Sequence, residues 1–577
     1  MAIETTATSA RVVCSNGYAS ALDPADEPES GGVAHRTPVE FLTGGLRAAP
    51  LPLAAFAVAL IAVWFLADPR TPDLAAQVYR VRLFGELGPA VWDARWYAGH
   101  HLPGYSLMFP PLGSLLGTRL LGAASALAST LLFERLIAPV YPRAARWAAA
   151  WFAVAAVGDI WIGRLTFALG LSFALAAALA LRGRRDVLAA VLAVACAAAS
   201  PVAGVLLGLA ALTLALEQRS LRAPLLLGAP AAAVVLVLAL LFPEGGWEPF
   251  PLRSFIATAV VVLVFLWAIG RGQRLLRIGA AVYLLACVFA LAIHSPLGSN
   301  IERYGVLLSG PLLLCASLRS PAQEGAAARG VAGLRPPVLL ALLVSALWVA
   351  WGPVRETAAV AGSPATSAAY YVPVERFLEG VPDRPARVEV PLTRSHWEAA
   401  LLAPSISLAR GWEKQLETRY DHVLLASGMS AAGYRAWLRE QAVGYVALPD
   451  VALDPSSARE GLLIRGGLPY LQEVFASRHW RVYRVRSATP LLSGPGRLLA
   501  IGHDSFSLSA RAPGSLIVRV RFTPYWTLLH GHGCVREASG GWTEVRLDAP
   551  GPATVAARFS LARAVGDRSS CAGTAGA

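Results

Sequence analysis

Long apolar runs recur through the first 353 residues of this 577-residue chain, and they limit the folds that it can adopt. A bilayer core is about 30 Å thick, so a helix needs roughly 17–25 mostly apolar residues to cross it. Inside the bilayer the backbone has no water partners, and α-helices satisfy their own backbone groups. The pattern therefore predicts a polytopic α-helical membrane protein. We assign eleven spans to residues 49–67, 113–133, 144–158, 165–182, 187–199, 202–217, 224–242, 255–270, 276–293, 304–318 and 337–353.

The composition fits a membrane protein and argues against a nucleic-acid-binding one. Hydrophobic residues make up 55% of the chain and charged residues only 15%, compared with about 25% charged residues in soluble domains. The formal net charge is +13, and Lys414 is the only lysine. The arginines are spread over short loops instead of forming one patch with stacking aromatics. We therefore expect no nucleic-acid partner.

The arginines lie in alternate loops between the predicted spans. By the positive-inside rule, the arginine-rich loops are cytoplasmic, and residues 354–577 lie outside a bacterial plasma membrane. Residues 1–45 are polar and acidic, which predicts a disordered cytoplasmic tail. The transmembrane domain is assigned to residues 46–353. The arginines in question are Arg143, Arg146, Arg182, Arg184, Arg185, Arg219, Arg222, Arg271, Arg274, Arg277, Arg319, Arg329 and Arg335.

The hydrophilic C-terminal part has two kinds of pattern. Residues 354–495 alternate short β-type runs with helix-like stretches, which predicts an extracytoplasmic α/β subdomain. Residues 496–577 contain strands separated by Pro-Gly and Gly-Gly turns, which predicts a β-sandwich. Cys534 and Cys571 form a disulfide if this region faces an oxidising compartment, or they are two unrelated thiols.

The first outer loop, residues 68–112, carries more polar and aromatic residues than a connector needs. Asp73 directly follows the first span, where a carboxylate can act as a general base between a lipid-bound electrophile and a water-borne hydroxyl. Alternatively, Asp73 caps a helix that begins at Leu74. His100 and His101 either bind a metal or relay protons, or they are hydrogen-bonding loop residues.

An acid close behind the first span, followed by "WYAGHHLPGYSLMFPPL", resembles the GT-C superfamily. These are multispan glycosyltransferases that use polyprenyl-phosphate-linked sugars. The resemblance implies a GT-C-like fold with Asp73 as the catalytic base. Members often carry two adjacent acids where this chain has "TPDLA", which leaves the base geometry and metal use open. The candidate acceptor-binding residues in this loop are Arg80, Asp93, Trp96, His100 and His101.

Two more segments match parts of the same family. In "VGDIWIGRL", the resemblance implies that Asp159 and Asp73 share a Mg²⁺ or Mn²⁺ ion through oxygen ligands, whereas the alternative is an Asp159–Arg164 ion pair. Arg164 is also a second candidate for binding the donor phosphate. In "IERYGVLL", Arg303 and Tyr304 are similar to a late segment whose arginine meets that phosphate. A guanidinium suits this role because it stays charged and offers two donors; the alternative is an interfacial anchor.

The sequence thus predicts a membrane glycosyltransferase that moves a sugar from a polyprenyl-phosphate donor to a glycan, lipid or protein acceptor of the cell envelope. The alternative is a non-enzymatic lipid or polysaccharide transporter, or an envelope-assembly factor, that keeps the same fold. A transporter is expected to carry charged residues near the middle of its spans. Apart from Arg119, the predicted spans are nearly free of charge.

Overall fold

The computed structural model describes residues 51–318, 335–566 and 569–571, so the predicted tail at residues 1–45 lies outside the described residues. Up to residue 360 the described chain is mostly helical, because its long apolar runs satisfy their backbone groups within each helix. The helices are α1 (Leu51–Ala67), α2 (Pro72–Leu87), α3 (Phe109–Leu116), α4 (Thr118–Ile137), α5 (Ala145–Ile162), α6 (Leu165–Arg182), α7 (Asp186–Ala199), α8 (Pro201–Gln218), α9 (Ala229–Leu241, after a π-helical turn at Pro224–Gly228), α10 (Leu252–Ala268), α11 (Arg274–Ala292), α12 (Glu302–Ser317) and α13 (Pro336–Val360).

Each predicted apolar run overlaps a helix, and the run at 113–133 overlaps two, but the count of eleven crossings is not confirmed. Among the described residues, seven helices are long and apolar enough to cross a membrane, or eight if the bent pair α1–α2 counts as one span. Helices α7 and α10 are apolar but shorter. The chain is a multi-span α-helical membrane protein.

The first outer loop contains a helix of its own. Helix α2 turns away from α1 by 86°, and it begins at Pro72, with Thr71 in the extended conformation before it. Proline at the first helical position is favoured because its missing N–H would be unpaired there in any case. Asp73 therefore lies in the first turn of α2 and does not occupy the capping position.

The predicted second span begins later than expected. Gly117 has a φ of 88° and separates α3 from α4. Arg119 consequently lies in the first turn of α4, where its Nη1 is 2.6 Å from Asp68 Oδ1 and its guanidinium lies 4.8 Å from the Trp64 ring centroid. Arg119, which was predicted to lie inside a span, is thus paired with Asp68 at the end of a helix.

A hairpin and then two β-rich layers complete the fold. The hairpin pairs β1 (Trp92–Asp93) with β2 (His100–His101) in the first outer loop. A five-stranded mixed sheet has the order β4-β3-β5-β7-β6, with β3 parallel to β4 and β5, and β7 antiparallel to β5 and β6. The elements of this layer are α14 (Ala368–Glu379), β3 (Arg387–Glu389), α15 (Trp397–Leu401), β4 (Ser407–Leu408), α16 (Lys414–Tyr420), α17 (His422–Leu425), α18 (Ala431–Glu440), β5 (Val443–Pro449), α19 (Ala458–Arg465), β6 (Leu471–Ala476) and β7 (Trp480–Val485).

The last layer is a β-sandwich of two four-stranded antiparallel sheets, with the orders β12-β15-β10-β9 and β13-β14-β11-β8. Alternate residues of these strands point inward, which is why β10 reads as alternately half-buried and buried. Cys534 in β13 forms a disulfide with Cys571. The elements are β8 (Leu492–Ser493), β9 (Gly496–Ile501), β10 (Ser505–Ala510), β11 (Gly514–Arg521), β12 (Trp526–His530), β13 (Gly533–Ala538), β14 (Trp542–Leu547), β15 (Gly551–Ala557) and α20 (Leu561–Val565).

The C-terminal layers contact one end of the helical bundle, which we call the domain end. The Trp397 indole Nε1 donates to the Arg70 carbonyl at 3.0 Å, and the Tyr525 hydroxyl donates to the Leu241 carbonyl at 2.6 Å. Arg70 follows the end of α1, and Leu241 is the last residue of α9. The first outer loop is therefore enclosed between the helices and the C-terminal layers.

Candidate active site

Three of the predicted site residues meet at the domain end. Arg164 lies between two carboxylates, with its Nε 3.7 Å from Asp73 Oδ2 and its Nη1 3.6 Å from Asp159 Oδ1. The Asp73 side chain is 34% exposed, whereas that of Asp159 is 7% exposed. Asp73 is thus the carboxylate of this cluster that a substrate can reach.

The turn between α5 and α6 positions this cluster. Gly163 ends α5 with a φ of 98°, and a Cβ at this position would lie 2.3 Å from the backbone nitrogen of Leu74. The Thr71 hydroxyl also donates to the Trp161 carbonyl at 3.0 Å. A glycine is needed here because the start of α2 packs directly on the turn, which brings Asp73 beside Arg164.

The cluster retains unused hydrogen-bonding capacity. Its two ion-pair distances exceed the normal range of hydrogen bonds. Among the described residues, Arg164 Nε and Asp159 Oδ2 are buried atoms without a hydrogen-bond partner. Such groups are uncommon in folded proteins, so the cluster has donors and an acceptor available for a ligand.

Arg303 joins the same cluster from the first turn of α12. It donates from Nη2 to Asn300 Oδ1, its guanidinium lies 5.0 Å from the Phe167 ring centroid, and its Nε has no partner among the described residues. It interacts electrostatically with Arg164 and with both carboxylates. Tyr304 instead packs against Tyr283, with 5.4 Å between ring centroids.

Glu248 is a neighbour of this cluster that sequence reasoning missed. It lies in the loop between α9 and α10 and accepts a hydrogen bond from Ser299 Oγ at 3.0 Å. Gly298 packs against its backbone, since a Cβ there would lie 2.0 Å from the Glu248 carbonyl oxygen. Burial raises the pKa of Glu248 to about 7, and its charge interacts with Arg303. Two acids in an aromatic, proline-rich loop gave no sequence signal that one of them lies near Arg303.

The five candidate acceptor-binding residues are placed differently from what the sequence suggested. All five are buried, and their contact with an acceptor stays a prediction. Their positions join the first outer loop to the C-terminal layers. Their exposed fractions are 4% for Arg80, 0% for Asp93, 0% for Trp96, 1% for His100 and 6% for His101.

Asp93 shows how this joining works. Its carboxylate accepts a hydrogen bond from the Tyr79 hydroxyl at 2.7 Å and lies 3.0 Å from His503 Nδ1 in the sandwich. Burial by itself would raise the pKa of Asp93, but the hydrogen bond with His503 and the charge of His100 hold it below the usual value. Asp93 thus ties the loop hairpin to the β-sandwich.

Arg80, Trp96 and His101 also make contacts outside the loop, whereas His100 packs on a ring within it. Arg80 Nη2 lies 2.5 Å from Glu413 Oε2, and the Trp96 indole donates to the Ala399 carbonyl at 3.0 Å. His101 Nδ1 lies 2.8 Å from Glu244 Oε1. His100 stacks on Trp96, with 5.6 Å between ring centroids.

A divalent metal between Asp73 and Asp159 is not favoured by this arrangement. The guanidinium of Arg164 already lies between the two carboxylates. No group of three or more His, Cys, Asp or Glu side chains suited to a metal occurs among the described residues. The Mg²⁺ or Mn²⁺ site stays a prediction, and we assign no step to it.

An apolar cavity of about 330 Å³ lies between α2, α3 and the residues that join them. Arg80 forms one end of it. The Arg80 guanidinium lies 3.9 Å from the Tyr105 ring, and Tyr105 interacts electrostatically with Asp73 and Arg303. The cavity is lined by apolar side chains that include Leu83, Phe84, Leu107, Pro110 and Phe242. It has the character of a site for a hydrocarbon chain.

No family model matches the chain, and no curated protein sequence matches it. Among solved structures, the chain is similar to ArnT from Cupriavidus metallidurans bound to undecaprenyl phosphate, with a TM-score of 0.40, 14% identity, and coverage of 75% of this chain and 98% of ArnT. It is also similar to the arabinosyltransferase EmbB from Mycobacterium smegmatis, with a TM-score of 0.30, 13% identity, and coverage of 91% of this chain and 64% of EmbB. At this level of similarity, the case for a function depends on the residues of this chain.

Proposed function

We propose that this chain is an integral membrane glycosyltransferase that transfers a sugar from a polyprenyl-phosphate donor to a cell-envelope acceptor. The proposal is carried by one arrangement: an accessible carboxylate, Asp73, next to the partly unused guanidiniums of Arg164 and Arg303 at one end of a multi-span bundle. Arginine donors suit an anionic phosphate, and a carboxylate suits proton removal from a hydroxyl.

The reaction needs only groups that this chain supplies. The donor phosphate lies between Arg303 and Arg164. Asp73 takes the proton of an acceptor hydroxyl, and the hydroxyl oxygen forms a bond to the anomeric carbon of the sugar. The bond from that carbon to the phosphate oxygen breaks, and its electron pair leaves with polyprenyl phosphate. The two guanidiniums stabilise the charge that develops on the leaving phosphate.

The location of the cluster favours an enzyme over the transporter alternative. Asp159 lies in the last turn of α5, and Arg303 lies in the first turn of α12. A translocation pathway would place charged groups near the middle of the spans. Charges at helix ends suit chemistry at the membrane surface.

The domain end is proposed to face outward. The C-terminal layers on this side carry the Cys534–Cys571 disulfide, and disulfides persist in oxidising compartments. Arg182, Arg222 and Arg277 lie near the opposite ends of their helices, where positively charged residues indicate the cytoplasmic side. The donor chain is proposed to lie in the apolar cavity beside Arg80.

The proposal is tested with the purified full-length protein in lipid nanodiscs. A panel of radiolabelled polyprenyl-phosphate sugars is added together with an extract of envelope glycans and lipids. We expect one donor to be consumed, with equal amounts of polyprenyl phosphate and labelled acceptor formed. If the folded protein transfers label from none of the donors, the proposal is wrong.

Replacing Arg303 with glutamine should weaken donor binding by about 10- to 100-fold, the effect of losing a charge-assisted hydrogen bond to phosphate. Arg303→Lys keeps the charge but loses the paired donors, so its affinity should be intermediate. The measurement is the Kd of the donor in nanodiscs. Arg253→Gln is the matched control, because Arg253 is exposed at the same end of the bundle. Unchanged binding in Arg303→Gln would contradict the phosphate assignment.

Donor affinity should also fall as the pH rises through 7. Below this pH the Glu248 carboxyl is protonated, since its pKa is raised to about 7. Above it, the carboxylate is charged and repels the anionic donor near Arg303. This repulsion should weaken donor binding by about 3- to 10-fold. The donor phosphodiester does not titrate in this interval. Glu248→Gln should remove the pH dependence, and an unchanged profile in this variant would contradict the assignment.

A further inference from the structure

A second cavity, of about 300 Å³, lies where the first outer loop, the mixed sheet and the β-sandwich meet. Its walls include Arg95 from the loop, Arg384 from the segment before β3, Ser407 of β4 and Ala500 of β9. Strands β4 and β9 are edge strands of their sheets. Edge strands present backbone groups without strand partners, so the cavity offers polar backbone as well as polar side chains.

Two guanidiniums converge in this cavity. Arg95 Nη1 donates to the Ser405 carbonyl at 2.9 Å, and Arg384 Nη2 donates to the same oxygen at 3.4 Å. Among the described residues, no carboxylate lines the cavity. Two acids contact its lining residues: Glu375 accepts from Ser405 Oγ at 2.5 Å, and Asp93 accepts from the Arg95 backbone at 3.0 Å. Burial lowers the pKa of Arg95, the charge of Asp93 opposes this shift, and the charge of Arg384 adds to it.

The cavity also holds buried polar atoms without a partner. Ser407 is 4% exposed, and among the described residues neither its Oγ nor Arg95 Nε has a hydrogen-bond partner. Buried groups of this kind are normally satisfied by protein, water or a ligand. Two cations and a free hydroxyl in one cavity therefore indicate an oxygen-rich anion.

We propose that this cavity binds a sugar that bears one oxyanion, either a carboxylate or a phosphate. The oxyanion lies between Arg95 and Arg384, and the Ser407 hydroxyl bonds a ligand oxygen. Leu378 and Ile406 in the cavity wall contact the apolar C–H face of the ring. The volume is at the lower end of the range for small-molecule sites and exceeds what a bare inorganic anion fills. The proposal does not depend on the transferase activity, because binding here is measured without donor.

The test is isothermal titration of the full-length protein in nanodiscs with glucuronate, glucose 1-phosphate, glucose and inorganic phosphate. We expect one anionic sugar to bind about tenfold or more tightly than glucose and phosphate, since charge-assisted hydrogen bonds are stronger than neutral ones. Comparing glucuronate with glucose 1-phosphate identifies which oxyanion the cavity takes.

Two variants locate the binding. Arg384→Gln changes an exposed side chain and should weaken binding about tenfold. Ser407→Ala should weaken it about 3- to 10-fold without lowering the unfolding temperature, because it removes a hydroxyl that has no protein partner. Arg478→Gln, in the β6–β7 turn at the opposite edge of the mixed sheet, should leave binding unchanged.

Three results would overturn the proposal. The first is that neither anionic sugar binds. The second is that inorganic phosphate binds as tightly as both anionic sugars, which would indicate a nonspecific anion site. The third is that Arg384→Gln and Ser407→Ala bind the sugar as wild type does.

Discussion

Asp73→Asn is expected to lower the rate of sugar transfer by about 10²- to 10⁴-fold, the usual contribution of a general base. Asparagine keeps the size of the side chain but cannot accept a proton from the acceptor hydroxyl. If Asp73 were only a structural residue, Asp73→Asn would lower stability slightly and leave the transfer rate nearly unchanged. The helix N-terminus favours the charge of a first-turn acid by only about 0.3–1 kcal/mol. The measurement is kcat for transfer by the purified protein, together with its unfolding temperature.

Asp68→Asn is the matched control for this prediction. Asp68 precedes α2 and pairs with Arg70 and Arg119 at 3.1 and 2.6 Å, and its φ of 41° is one that asparagine adopts readily. We expect Asp68→Asn to retain transfer within a factor of a few. If both variants lose activity equally, the effect comes from distortion around α2 and not from loss of a base.

Arg410→Met should strongly destabilise the C-terminal layers. Arg410 Nη2 donates to Glu389 Oε1 at 2.5 Å and to Glu460 Oε2 at 2.7 Å, and all three side chains are buried. Removing the cation leaves two buried carboxylates unpaired, which costs about 3–5 kcal/mol. The unfolding midpoint of these layers should fall by roughly 6–20 °C.

The loss should depend on pH. Burial raises the pKa of Glu389 well above its usual value, and without Arg410 this carboxyl is expected to fold in its neutral form. A raised folded-state pKa contributes stability below the unfolded pKa of about 4.3, and that stability is lost as the pH rises towards the folded value. Arg410→Met should therefore be closer to wild type at pH 5 than at pH 8. Arg459→Met changes an exposed arginine next to Glu460 and should change the midpoint little. An equal shift in both variants would contradict the role of the Arg410 ion pairs.

The helices were predictable from the sequence, because apolarity over a sufficient length determines where a chain can enter a bilayer. The ends of the helices were less predictable. The break at Gly117 depends on one left-handed residue inside an apolar run, and the 86° turn before α2 depends on Pro72 and on packing against Gly163.

The charged cluster was partly predictable. Asp73, Asp159 and Arg164 were singled out because each lies at the predicted outer end of an apolar run, and ends on one side of a membrane are brought together by the bundle. The structure places Arg164 between the two acids, so the ion pair that the sequence left open is present alongside the contact to Asp73.

The loop residues show why the rest was not predictable. Asp93 resembles a binding residue in sequence, but its partner His503 is 410 positions away. The same holds for Arg80 and Glu413, which are 333 positions apart. Residue type and spacing reveal local structure, whereas these contacts depend on how distant layers pack.

The role of Asp73 in sugar transfer can be tested in cells by comparing the glycan and glycolipid composition of envelopes with and without this protein. A deletion strain is complemented with wild type or with Asp73→Asn at matched membrane levels. We expect that one glycan or glycolipid disappears in the deletion strain and returns only with wild type. If Asp73→Asn restores everything that wild type restores, Asp73 is a structural residue of α2 and the proposed active site is wrong.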